Sequence, residues 1–102
     1  MDKTIVVIFR SVPDVTDEEY ERTSEHLKAL AFEEFGCLDY ASYSEGEEKV
    51  TLSYWPSEEH VRLWKKQSDH ITAQRLGREK WYKHFSIQVA EIVREYAFNK
   101  VS

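Results

Sequence analysis

Short runs of β-branched and aromatic residues alternate along this chain with longer stretches whose apolar positions fall three or four apart. The first run, Ile5 to Phe9 (IVVIF), is apolar at every position, which predicts a strand covered on both faces. Pro13 and Asp14 close it. Thr16 then opens a helix, since Thr16 and Glu19 have the T-x-x-E spacing of a capping box and Val15 and Tyr20 that of a hydrophobic staple. Tyr20, Leu27, Leu30 and Ala31 form its apolar stripe, and Gly36 stands where a left-handed residue would end it. Two strands follow, Leu38 to Ser44 and Lys49 to Trp55, around a turn in which Gly46 supplies positive φ.

Pro56 ends the second of these strands, and Ser57 with Glu58 and Glu59 starts another helix. The serine hydroxyl caps it and the acids favour its positive end. Val61 and Trp64 face inward, Ser68 and Asp69 predict a break, and a further helical stretch runs through Ala73 and Leu76 to Gly77. Ser86 to Phe98 closes the chain as a long strand, with Ile87, Val89 and Val93 on one face and Ala90, Ile92, Tyr96 and Phe98 on the other.

The order β-α-β-β-α-(α)-β is the ferredoxin-like α+β arrangement. Right-handed crossovers place the helices on one face of a four-stranded antiparallel sheet. The other face carries Val6, Ile8, Ile92 and Tyr96, and leaving such side chains in water forgoes about 1.5–3 kcal/mol each. The pattern therefore predicts a homodimer packed through the sheet face.

At 102 residues the chain is expected to be a single domain over 1–102. A net charge of −5 argues against nucleic acid and anionic membrane as partners. The RNA-recognition domain shares the element order, but the third strand here, KVTLSYW, lacks that domain's glycine and paired aromatics. MDKTIVVIFR is too short in its apolar run for a signal peptide or a membrane span. One cysteine, Cys37, suits a reducing compartment, and the expected location is cytoplasmic.

Residues 54 to 82, YWPSEEHVRLWKKQSDHITAQRLGREKWY, hold all three tryptophans and two of the four histidines. Arg62 to Lys83 carry seven of the 14 Lys and Arg residues, with Arg62, Lys65 and Lys66 on the outer face of the second helix. His60 and His84 have no partner at metal-ligand spacing and Cys37 stands alone, so no metal site is expected. His26, beside Glu25 and Lys28, reads as solvated.

The run YW-x-S-x-E-x-x-x-x-W-K through D-H-x-x-A-Q-x-x-G-R-x-x-W-Y resembles a branch of the antibiotic biosynthesis monooxygenase (ABM) family, within the dimeric α+β barrel superfamily. It is carried by Tyr54, Trp55, Ser57, Trp64, Lys65, His70, Ala73, Gln74, Gly77, Arg78, Trp81 and Tyr82, with FGCLDYAS and VREYAF alongside. The resemblance implies a dimeric barrel. It implies an activity drawn from cofactor-free quinone-forming monooxygenases, heme-degrading enzymes or small isomerases. The heme-degrading branch uses an Asn on the first strand and a His about ten residues after its Trp. Here the first strand has no Asn and the tenth position after Trp64 is Gln74.

What the resemblance implies best is a cofactor-independent monooxygenase acting on an aromatic or quinol-like ligand, with no metal or flavin. His70 would be the base, since an imidazole accepts a proton near neutral pH. Arg78 and Tyr82 would be polar anchors, and Trp55, Trp64, Gln74 and Trp81 would line the pocket. Each has an ordinary alternative: core packing for the rings, a backbone bond for His70, a helix carboxylate for Arg78. If all these hold, the chain is a non-catalytic dimeric binding or interaction protein; a cavity beside Trp64 and His70 separates the two readings.

Overall fold

In the computed structural model the chain forms β1 (Ile5–Pro13), α1 (Glu18–Glu34), β2 (Asp39–Glu45), β3 (Glu48–Trp55), α2 (Glu58–Gln74) and β4 (Tyr82–Glu91). The structure describes residues 3–14, 16–74 and 80–100, except the side chains at 73 and 74. The strands make one antiparallel sheet in the order β2-β3-β1-β4, the ferredoxin-like α+β topology.

Strand alternation fixes which side chains meet the helices. Ile5 pairs with Trp55, Val7 with Ser53, Phe9 with Thr51 and Ser11 with Lys49, and these eight share one face. Ile5 and Trp55 on that face pack with Ala31 of α1, Val61 of α2 and Cys37 into the buried core, so both helices cover the same side. Trp55 is fully buried at the centre of this cluster and its Nε1 donates to Ser53 Oγ at 2.9 Å. The opposite face carries Val6, Ile8, Val50, Leu52 and Tyr54.

Local signals account for most boundaries. Gly46, at φ 60°, sits in a two-residue turn between the paired Glu45 and Glu48. Gly36, at φ 79°, ends α1 where the sequence placed it, and Cys37 N–H donates to the Ala31 carbonyl. A Cβ at Gly36 would come within 3.0 Å of His60 Cδ2, so the glycine also lets the start of α2 approach the end of α1. Ser57 caps α2: its Oγ accepts from His60 N–H at 3.4 Å and lies 2.7 Å from His60 Nδ1.

Three expectations are corrected. The cap of α1 is Asp17, one residue beyond Thr16, and its carboxylate accepts from the Tyr20 N–H at 2.8 Å; Val15 lies outside the described residues. No break occurs at Ser68 and Asp69, because α2 runs unbroken to Gln74; Leu76 and Gly77 lie outside the described residues. The last strand runs from Tyr82 to Glu91 rather than from Ser86 to Phe98. Its physical limit is its partner: Glu91 pairs with Ile5, the first residue of β1, and only Ile92 N–H reaches on to the Thr4 carbonyl. With no strand left to pair with, Val93, Tyr96 and Phe98 are 67%, 86% and 88% exposed.

Asp17 also pairs with Lys80 at 2.8 Å, tying the start of α1 to the start of β4. The Lys80 ammonium and then the Tyr20 N–H hold the Asp17 carboxyl below its ordinary value. A depressed folded-state value means the contribution is present above the unfolded value, about 3.9, and is lost as pH falls through the folded one. Urea melts of wild type and Asp17→Asn should therefore differ at pH 7, begin to close only below about pH 4, and converge once the pH is under the lowered folded-state value. A difference that persists at low pH would remove the charge from the account.

Candidate functional site

A cavity of about 190 Å³ opens between the helices and the covered sheet face. Its existence follows from side-chain size. Its lining includes Ser11, Thr51 and Ser53 of the sheet, Thr23 and Ser24 of α1 and Ser68 and Thr72 of α2. Small hydroxyl residues on both layers leave the space that larger side chains would fill. Rings close it on the flanks. Tyr20 packs edge-on against Trp81 at 5.4 Å and Tyr82 at 6.0 Å, while Phe9 lies 5.7 Å from both Tyr82 and Phe85. Trp64 stacks on Trp55 at 5.8 Å and leans on Phe35 at 5.5 Å, presenting its remaining surface to the cavity.

Tyr82 reaches this wall through a bulge. Val12 pairs with His84 but Pro13 pairs with Tyr82, so β4 carries one extra residue, Lys83, at that point. The insertion puts Tyr82 and Phe85, three apart, on the same side of the sheet. Simple alternation would have placed them on opposite faces.

Polar residues line the cavity as well. Ser11 Oγ, Thr23 Oγ1 and Trp81 Nε1 are buried with no hydrogen-bond partner among the described residues, and all three residues belong to the lining. Each such group costs about 1–3 kcal/mol; the hydroxyls can donate or accept, and the indole N–H can only donate. Burial, and then the neighbouring Tyr20, push the Tyr82 hydroxyl well above its ordinary value. Burial also raises the Tyr40 hydroxyl, which lines the cavity too. Both phenols stay protonated. Lys49 brings positive charge, its Nζ 5.9 Å from the centre of the Tyr20 ring. Asp69 is the lining carboxylate among the described residues and lies 2.7 Å from Lys65 Nζ.

The residues expected from the sequence are divided by this geometry. Trp64, Trp81 and Tyr82 meet at the cavity. Trp55 stands behind Trp64 in the core and does not line it. His70 is exposed and also absent from the lining: α2 turns residues 61, 64, 65, 68, 69 and 72 toward the cavity, and position 70 falls outside that stripe. The Gln74 side chain and Arg78 lie outside the described residues. Trp64 thus borders this cavity and His70 does not. Among the described residues no three of His, Cys, Asp and Glu are grouped to hold a metal ion, and no helix is long and apolar enough to cross a membrane.

Sequence reasoning missed Tyr20, Thr23, Lys49 and Asp69 as cavity residues. The signal was there: Thr23 and Ser24 interrupt the apolar stripe of α1, and Lys49, Thr51 and Ser53 are polar at inward-facing strand positions.

A four-stranded antiparallel sheet with both helices on one face and a ring-walled cavity between the layers is a fold this chain shares with several solved structures. SnoaB from Streptomyces nogalater, a cofactor-independent oxygenase, superposes with TM-score 0.73 at 10% identity over 91% of this chain and 96% of its own. Rv0793 from Mycobacterium tuberculosis superposes with TM-score 0.71 at 19% identity, over 92% and 99%. By sequence the chain is 33% identical over 95 residues to the uncharacterised protein YqjZ of Bacillus subtilis (strain 168), covering 92% of this chain and 83% of that one. The chain belongs to the family of YqjZ. No protein-family model matches it.

Proposed function

We propose that this protein is a cofactor-independent monooxygenase of the ABM type that oxidises a phenolic or quinol-like small molecule inside the cavity, in the cytoplasm. The observation that carries this is a cavity walled by Trp64, Trp81, Tyr82 and Phe9, three of whose lining residues, Ser11, Thr23 and Trp81, hold a buried polar atom with no partner among the described residues. The SnoaB fold likeness supports the reaction class. A ring lies against the aromatic walls and a protonated Tyr82 donates to its oxygen.

Removing the phenolic proton makes the ring the better electron donor to O₂. Asp69 takes that proton in this reading, because it faces the cavity and His70 does not. Oxygen adds at a ring carbon, the O–O bond breaks, and water leaves: phenol + O₂ gives quinone + H₂O. The substrate supplies all four electrons, so the balance needs no external reductant.

The reading includes a homodimer through the uncovered sheet face. Val6, Ile8, Val50, Leu52 and Tyr54 form an apolar patch there, whose burial by a second copy would recover about 1.5–3 kcal/mol per large side chain. Sedimentation at micromolar concentration should show twice the chain's mass, and a stable monomer would remove the dimer.

Protein freed of metal and flavin should consume O₂ above the buffer blank with members of a panel of phenols and hydroquinones. Ligand binding with no O₂ uptake from any of them would favour the non-catalytic binding protein.

A further inference from the structure

The cavity's size and its donors together specify its ligand more narrowly than the class of reaction does. A cavity of about 150 Å³ is enough for benzene. At about 190 Å³ this one accommodates a single substituted ring. Several of its polar residues are linked through Lys49 and Tyr20. Ser11 and Lys49 are cross-strand partners on the covered face, the Lys49 ammonium lies over the Tyr20 ring, and Trp81 packs edge-on against that same ring. Thr23 follows Tyr20 by about one helical turn.

Among the described residues the charge there has no ion-pair partner. Of the two lysines that line the cavity, Lys65 is held by Asp69, while Lys49 takes part in no ion pair among the described residues. Trp81 Nε1–H can only donate, and an ammonium can only donate. A neutral phenol offers one oxygen to this group; a carboxylate offers two oxygens with about four acceptor sites and a full negative charge.

We infer that the ligand of this cavity is a single-ring aromatic carboxylate, its carboxylate held by Lys49 with Ser11, Thr23 and Trp81 and its ring laid along Val7 and Phe9 toward Trp64. The inference rests on the cavity being the ligand site of the proposed function, and it does not depend on turnover.

Titration of tryptophan fluorescence with 4-hydroxybenzoate, its methyl ester and anthrone tests it. The acid should bind at least about tenfold more tightly than the ester, a difference of about 1.4 kcal/mol, and anthrone should not compete. Lys49→Met should erase the preference for the acid, and Lys49→Arg should keep part of it, which separates lost charge from lost folding; thermal melts of both variants accompany the titrations. An ester bound as tightly as the acid, an acid preference that survives Lys49→Met, or displacement of the acid by anthrone would each overturn the inference. O₂ uptake recorded on the same samples separates the two proposals. Lys49-dependent acid binding without uptake keeps the inference and removes the monooxygenase. Uptake with neutral quinols and no acid preference does the reverse.

Discussion

Trp55→Ala should lower the free energy of unfolding by about 3–5 kcal/mol, read as a shift in urea midpoint with the slope unchanged. Trp55 is fully buried, its ring stacks on Trp64, and its indole N–H is spent on Ser53. Truncation would open a void between Ile5, Ala31 and Val61 and leave the Ser53 hydroxyl without its donor. Against a total stability of about 5–15 kcal/mol for a domain of this size, the loss is a large fraction. Trp64→Ala should cost less, because part of that ring already faces the cavity. Equal losses at the two positions would mean that Trp64 is core and no wall.

Asp69→Asn should lower the rate of O₂-dependent turnover by about 10²–10⁴-fold, the usual contribution of a positioned base. His70→Ala, one residue away, should leave it within about twofold, since the imidazole is exposed on a different side of α2. The neighbouring pair makes a sharp control: both residues sit on the same helix turn and only one meets the ligand. Loss at His70 with no effect at Asp69 would return the base to the residue the motif suggested.

That reversal shows which part of the site could be read in the sequence. Element order, both helices, the hairpin at Gly46, the helix end at Gly36 and the Ser57 cap follow from local rules, so the residues themselves announce them. The extent of β4 was hidden because a strand's length depends on its partner, and β1 begins only at Ile5. The orientation of Tyr82 depends on a bulge opposite Pro13, which no pattern within residues 82 to 91 could give. Ser68 and Asp69 looked like a helix break because those residue types favour caps. On α2 they are instead the small and charged positions that face the cavity. His70 drew attention by its chemistry alone, and helical geometry assigned it elsewhere.

Binding of a small aromatic molecule in the space beside Trp81 should be visible in the three indole N–H signals of ¹⁵N-labelled protein during titration with 4-hydroxybenzoate or hydroquinone. The expected response is a large saturable shift at Trp81, whose N–H has no partner among the described residues, a smaller one at Trp64, and little change at Trp55, already bonded to Ser53. Indole signals that stay fixed at saturating ligand, or a response led by Trp55, would contradict it.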